Sequence, residues 1–294
     1  MALYRDEGIV LRTQKLGEAD RIITLLTREH GRVRAVAKGV RRTTSRFGSR
    51  LEPFNHIDLQ LAEGRSLDVI TQVESIHPFG AMMSGDYEAY TAGTVMLETS
   101  ERLVVEDKEP ALQQFLLLVG ALRAMEGPDR PMAAVLDSFL LRSLAVSGYA
   151  PSFDDCARCG EPGPHAAFHP AAGGVLCADC RPAGCARPAG ETVRFLGALL
   201  TGEWDVINAT DERYRREAST LVAAFVSWHL ERGLKSLSML SYLAVAEHVT
   251  GDPAGNGAPA IEIMLTDGRR IRLIGPVHGQ TLADVLDVLE RRAC

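Results

Sequence analysis

Two short pairs of cysteines constrain this chain more than any other feature. Cys156-Ala157-Arg158-Cys159 and Cys177-Ala178-Asp179-Cys180 are separated by 17 residues, the spacing of a four-thiolate zinc site. Two intervening residues let a tight turn aim both sulfurs at one ion, and two such turns complete a tetrahedron with Zn–S distances of about 2.3 Å. The loop between them carries Gly160, Pro162, Gly163, Pro164, Pro170, Gly173 and Gly174, so it is expected to bury little and to need a clip. Two disulfides, or four idle thiols, are the alternative. His165 and His169 lie in the loop and read as bystanders beside four sulfurs. Cys185 and Cys294 lack partner spacing and read as spare thiols. The expected cofactor is one structural Zn2+ per chain, held by Cys156, Cys159, Cys177 and Cys180.

At 294 residues with 46% hydrophobic content, the chain is long enough for two or three domains with proper cores. Four of six cysteines in a metal pattern suggest a reducing compartment. The N-terminus Met1-Ala2-Leu3-Tyr4-Arg5-Asp6-Glu7 has no apolar signal core, and the longest apolar run, Phe115 to Leu122, stops at Arg123. That is far short of the roughly 18–20 residues a span requires, so a cytoplasmic, soluble protein is expected.

The net charge of −6 conceals an asymmetry. Residues 1–50 hold twelve basic and five acidic residues, giving +7 there and −13 over the remainder. A basic head on an acidic body suits a nucleic-acid module joined to protein-interaction domains; the alternative is a solvated charged face.

Residues 7–74 read as strands. Glu7–Thr13 and Arg21–Thr27 are β-branched and apolar with Gly17 at the turn, and Arg32–Lys38 follows His30-Gly31. Ile57, Leu59 and Leu61 alternate with Asp58 and Gln60, and Leu67, Val69, Thr71 and Val73 continue after Glu63-Gly64. Five strands with a long excursion between the third and fourth predict a small closed barrel of the OB type. Such barrels bind single strands through a basic groove with aromatic platforms. The excursion from Lys38 to Arg50 packs five cations among hydroxyls with one aromatic, Phe47. The candidate DNA-binding residues are Arg32, Arg34, Lys38, Arg41, Arg42, Arg46 and Arg50, because guanidinium groups bind phosphates bidentately. Phe47 either stacks on a base or closes the barrel.

From Phe79 to Gly148 the pattern turns helical, with Leu112–Met125 and Met132–Ser147 as apolar-faced helices, and Thr192–Leu200 and Asp211–Leu237 resume it after the cysteine loop. The loop is thus an insertion in a helical domain. Beyond Ser241 a linker-like run, Gly251 to Pro259, leads to alternating Ile261, Ile263 and Leu265, a turn at Asp267-Gly268, and answering Ile271 and Leu273. A short amphipathic helix through Leu282, Val285, Leu286 and Leu289 completes a ββα appendage. The expected class is α+β. Residues 1–78 form the OB domain, 79–151 with 187–240 the helical domain, 152–186 the zinc module and 241–294 the linker and tail.

Nucleotide-hydrolysis and hydrolase motifs are missing: there is no G-x-x-x-x-G-K-[S/T], H-E-x-x-H or G-x-S-x-G stretch. Neither cysteine pair follows a proline, as zinc deaminases require, and four thiolates close the shell that a catalytic zinc keeps open. A non-enzymatic DNA-binding protein is expected. A zinc-dependent nuclease or nucleotide-processing enzyme is the alternative.

Several stretches are similar to a known family. Glu7-Gly8-Ile9-Val10-Leu11, Gly17-Glu18-Ala19-Asp20, Leu25-Leu26-Thr27, Ala37-Lys38-Gly39-Val40-Arg41-Arg42 and Leu51-Glu52-Pro53-Phe54 resemble the N-terminal barrel of the RecO family of bacterial recombination mediators. Gly148-Tyr149-Ala150-Pro151, the four cysteines with Gly173-Gly174-Val175-Leu176, and His229-Leu230-Glu231-Arg232 with Lys235-Ser236 extend the likeness over residues 1–240. The resemblance implies binding of single- and double-stranded DNA, strand annealing, and cooperation with RecR and single-strand-binding protein to load RecA in gap repair and homologous recombination, in a bacterial, nucleoid-associated setting. It also implies a site for the acidic, apolar tail of single-strand-binding protein, for which Arg142 among Phe139, Leu140, Leu141 and Leu144 is the candidate cation; a structural salt bridge is the other reading. The tail beyond Ser241 departs from the family and has some similarity to small accessory proteins carried by transposons.

Overall fold

The computed structural model describes residues 2–43, 45, 47–83, 85–230 and 236, with the backbone of 260–264 and 270–274. Met1–Leu237 form one compact unit and Ser238–Cys294 a second.

Five strands, β1 (Leu3–Leu16), β2 (Asp20–Thr27), β3 (Gly31–Ala37), β4 (His56–Ala62) and β5 (Asp68–His77), close into a barrel in the order β1-β2-β3-β5-β4. Closure depends on the length of β1. Its first half pairs with β4 from Leu3↔Ala62 to Ile9↔His56, and its second half with β2 from Gly8↔Thr27 to Leu16↔Asp20. A register shift between Val10 and Arg12 bends it from one sheet face to the next. Gly8 belongs to both ladders, and a Cβ there would meet Thr27 Cγ2 at 3.2 Å and Leu26 O at 3.3 Å. The remaining seam is thin: β3 meets β5 in parallel at Ala35↔Asp68 and Val36↔Val69. Period-two alternation along the strands sends Val10, Ile23, Leu25, Val33, Ile57 and Leu59 into the barrel core. Each such side chain contributes about 1.5–3 kcal/mol on burial.

The excursion after β3 ends in a 3-10 turn, Gly48–Leu51. Phe47, 3% exposed, and Leu51 insert into the barrel core. The barrel-closing reading of Phe47 therefore holds, and the ring has no face open to a base. An apolar ring beside an open barrel end gains more from burial than from solvent.

The helical body comprises α1 (Phe79–Met83), α2 (Tyr87–Leu103), α3 (Leu112–Ala124), α4 (Met132–Val146), α5 (Gly190–Thr201), α6 (Trp204–Ala209) and α7 (Glu212–His229). Asp86 caps α2 by accepting from Glu88 N and Ala89 N, and Asp211 caps α7 by accepting from Arg213 N. The α4 helix is central, packing against α2, α3, α5 and α7; Val135, Leu136, Phe139, Leu140, Leu141 and Leu144 are buried around its circumference. Of the polar groups trapped there, Gln114 Nε2 donates to Ser100 Oγ at 3.2 Å and Ser143 Oγ at 3.1 Å, with Gln114 Oε1 left without a partner, and Ser138 Oγ donates to Leu199 O at 2.7 Å.

Between α4 and α5 the cysteine segment folds around a two-stranded sheet, β6 (Ala167–His169) and β7 (Gly174–Leu176). The expectation that it buries little is corrected here. Phe153, Phe168, Val175 and Leu176 are buried, and Phe168 packs on Phe225 of α7. The segment thus borrows a core from the helical body. Gly174 allows this: its φ is +148°, and a Cβ would lie 2.1 Å from Ser152 O. Ser152 instead accepts from Val175 N and donates its own N–H to Gly173 O.

In the second unit, β8 (Ala260–Met264) and β9 (Arg270–Ile274) pair antiparallel, with Ile261↔Leu273 and Ile263↔Ile271 in register. The predicted helix through Leu282 and Leu289 lies outside the described residues.

Candidate nucleic-acid interface and metal centre

The basic excursion is fastened to the β1–β2 turn. Gly39, at φ +66°, donates its N–H to Asp20 Oδ1 at 2.7 Å. Arg41 N–H donates to Ala19 O at 3.0 Å, and its Nη1 donates to Glu18 O at 2.8 Å and Gly17 O at 3.3 Å. These bonds spend donors on neutral carbonyls and leave the charge of Arg41 uncompensated. Lys38, Arg41 and Arg42 therefore share one end of the barrel, with Arg34 beneath them on the outer face of β3. All four are exposed. Among the described residues Arg34, Lys38 and Arg42 have no carboxylate partner.

Two of the predicted residues are placed differently. Arg50 is exposed on the 3-10 turn, its Nη1 donating to Phe47 O at 3.4 Å. Arg46 lies outside the described residues. Arg32 sits at the opposite end of β3 and is engaged within the protein: Nε pairs with Asp107 Oδ1 at 2.6 Å, Nη1 donates to Glu101 O at 3.4 Å, and Nη2 donates to Val105 O. Lys15, exposed two residues before Gly17, adds a cation to the fastened turn. Its only sequence signal was its place in the basic first fifty residues.

The four predicted metal ligands come together. Their Sγ atoms all lie within 4.8 Å of one another, with Cys159 and Cys177 3.8 Å apart. The described cysteines are all free of disulfides. Two matching turns aim the sulfurs: Gly160 N donates to Cys156 O at 2.8 Å, with Gly160 at φ +76°, and Arg181 N donates to Cys177 O at 3.2 Å. Burial pushes the Cys156 thiol up, but backbone N–H groups of Cys177, Cys159 and Arg158 outweigh it and take the thiol down to about 6. Hydrogen bonds with the Cys159 and Cys177 sulfurs push Cys180 up to about 12. Four sulfurs this close cannot all ionise without a cation, so the cluster could hold a metal ion. His165 Nε2 faces Glu161 O at 2.7 Å, and neither His165 nor His169 joins the cluster.

Arg142 borders a groove of about 490 Å3 between α3, α4 and α6, with Leu116, Leu117, Phe139, Val146 and Trp204 along its walls. Of the neighbours predicted for Arg142 only Phe139 reaches the groove; Leu140, Leu141 and Leu144 point into the body and are buried. Arg130 is a second cation there, its Cζ 4.3 Å from the centroid of the Trp204 ring. Sequence reading missed Arg130 and Trp204 because they are 74 residues apart and meet only through packing. No helix among the described residues is long and apolar enough to cross a membrane.

Comparison with known proteins agrees with this architecture. Residues 1–79 match the family model for the N-terminal part of recombination protein O, and residues 84–238 match the model for its C-terminal part. The chain is 66% identical over 239 residues to a DNA repair protein RecO of Nocardioides sp., covering 80% of this chain and 98% of the relative. It is 59% identical over 243 residues to that of Streptomyces avermitilis, covering 81% and 98%, and 59% identical over 241 residues to that of Thermobifida fusca, covering 82% and 99%. The C-terminal family match ends at residue 238, where the second compact unit begins.

Proposed function

This chain belongs to the RecO family of DNA repair proteins, and from that premise we propose that it is a non-enzymatic mediator that holds and aligns DNA strands. The observation that carries the reading is the fastening of the Lys38–Arg42 segment to the β1–β2 turn, which presents exposed cations on a rigid barrel end. Arg34, Lys38, Arg41 and Arg42, with Arg50 and Arg46, neutralise phosphates on two strands and lower the repulsion that opposes pairing. Base pairing then supplies the sequence match. With Phe47 buried, affinity rests on phosphate contacts more than on stacking, so binding falls with salt at about −0.7 in log units per phosphate neutralised on single strands.

Zn2+ suits the cysteine cluster. A tetrahedron with Zn–S bonds of about 2.3 Å has edges of about 3.8 Å, the separation of the Cys159 and Cys177 sulfurs. Four thiolates leave no open coordination position, so the ion would serve folding, with Cys156, Cys159, Cys177 and Cys180 as its ligands.

The acidic body serves protein partners: RecR, and single-strand-binding protein on the way to RecA loading. Support for the second contact comes from the groove beside Arg142, where apolar walls and the cations Arg130 and Arg142 suit an acidic, apolar peptide. The decisive experiment is annealing of complementary strands coated with single-strand-binding protein, without ATP. Wild type should accelerate it and the Arg41→Ala/Arg42→Ala variant should not. No acceleration by wild type would sink the proposal.

A further inference from the structure

Arg32 is one of the candidate phosphate-binding residues, yet every guanidinium nitrogen already has a partner on the last turn of α2 or on the segment that joins α2 to α3. Nε is paired with Asp107, Nη1 bonds Glu101 O, and Nη2 bonds Val105 O. The same segment runs parallel to β3 at Arg32↔Asp107, and Lys108 N donates to Arg32 O at 2.9 Å. It occupies a vacancy in the barrel ladder. β5 pairs with β3 only at Ala35 and Val36, so the Arg32 end of β3 has no strand on that side. Lys108 secures the arrangement by reaching Asp68 Oδ2 at 2.9 Å, at the first residue of β5. The fit is close: a Cβ on Gly31 would lie 1.8 Å from Glu109 O.

The charge of this segment is opposite to that of the surface it covers. Glu106, Asp107 and Glu109 are all exposed, and they sit where Arg32 would otherwise continue the cationic face begun by Arg34. The two ends of the segment's hold differ in which partner is open to solvent. At one end the Asp68 carboxylate is 2% exposed and its partner Lys108 42%; at the other Arg32 is 21% exposed and the Asp107 carboxylate 45%, so Asp107 is the acid that a competing anion can replace.

We propose that residues 105–109 form an acidic strap that stands in for phosphate on Arg32, and that a DNA strand on the basic barrel face displaces Asp107 to complete its contact. The proposal rests on the DNA-binding reading of the barrel. The strap sets a threshold: short or weakly held strands meet only the Arg34–Arg42 cations, and a strand long enough to compete recruits Arg32.

The test is equilibrium binding of labelled single-stranded DNA across a salt series. Asp107→Asn should tighten binding about three- to ten-fold at low salt and steepen the salt slope by about 0.7, one phosphate's worth. Asp107→Asn on an Arg32→Ala background should give no gain. Glu106→Gln removes the same charge without touching Arg32 and should give less than Asp107→Asn. Equal gains from Glu106→Gln, or an undiminished gain without Arg32, would reduce the effect to net charge and overturn the strap. The unsubstituted protein supplies an independent readout: hydrogen exchange at Lys108 N–H should speed up at saturating DNA, and unchanged or greater protection would overturn the proposal. Failure of the DNA-binding reading looks different, since wild type and the Arg41/Arg42 variant would then bind alike.

Discussion

Phe168 of the β6–β7 hairpin stands against Phe225 of α7, their ring centroids 6.4 Å apart, and Phe225 in turn lies 4.4 Å from the ring of His229. Phe153 also stacks on Phe168, at 6.4 Å and 15°. The cysteine segment therefore has two holds: a four-cysteine cluster at its tip and an aromatic row at its base.

Those holds should be separable. Phe225→Ala removes a fully buried ring and should cost about 3–5 kcal/mol, read as a lower denaturant midpoint. The turns that aim the sulfurs are untouched, so metal per chain should stay at wild-type level. Loss of metal in this variant would show that the aromatic row shapes the thiolate cluster.

The converse substitution is Cys177→Ser. Structural zinc in small modules contributes roughly 10–16 kcal/mol, so its loss should disorder residues 152–186, visible as fast amide exchange there. DNA binding by the barrel should persist, since the Lys38–Arg42 fastening lies wholly within residues 17–42. Retained stoichiometric metal would contradict the four-cysteine assignment.

Asp137 on α4 is buried, which pushes its carboxyl up from 3.8 to about 7 against the pull of Ser219 Oγ, which donates to Oδ2 at 2.5 Å. The folded state holds this proton where the unfolded state releases it. Its stabilising contribution is complete below pH 3.8 and is lost as pH rises through about 7. Relative to wild type, Asp137→Asn should gain about 2–3 kcal/mol of unfolding free energy between pH 5 and pH 8. A constant difference across that range would refute the assignment.

At the groove, Arg142→Glu should weaken binding of an acidic, apolar peptide ending in a free carboxylate by ten-fold or more, through lost attraction and added repulsion. Trp204→Ala should weaken it as well, by removing a wall of the groove and the support for Arg130. Binding of naked single-stranded DNA should be unchanged in both. Isothermal titration with the peptide and anisotropy with DNA separate the two effects.

Much of this protein was determined by sequence alone, wherever local rules dominate. Alternation between Ile57 and Leu61 specified β4, since period two buries one face of a strand. The stretch Leu112–Met125 anticipated α3 to within a residue, and each C-x-x-C turn aims its own pair of sulfurs because it needs only its own backbone. What tertiary structure alone decided involves residues distant in the chain. Phe47 carries the same ring whether it stacks on a base or plugs a barrel, and only the open end left by five strands settled its burial. Arg32 and Arg34 are indistinguishable by residue type, two positions apart on one strand face. The short β3–β5 seam and the α2–α3 segment that fills it engage the first and leave the second exposed. Charge can be counted along a sequence; which charges are already spent depends on what packs against them.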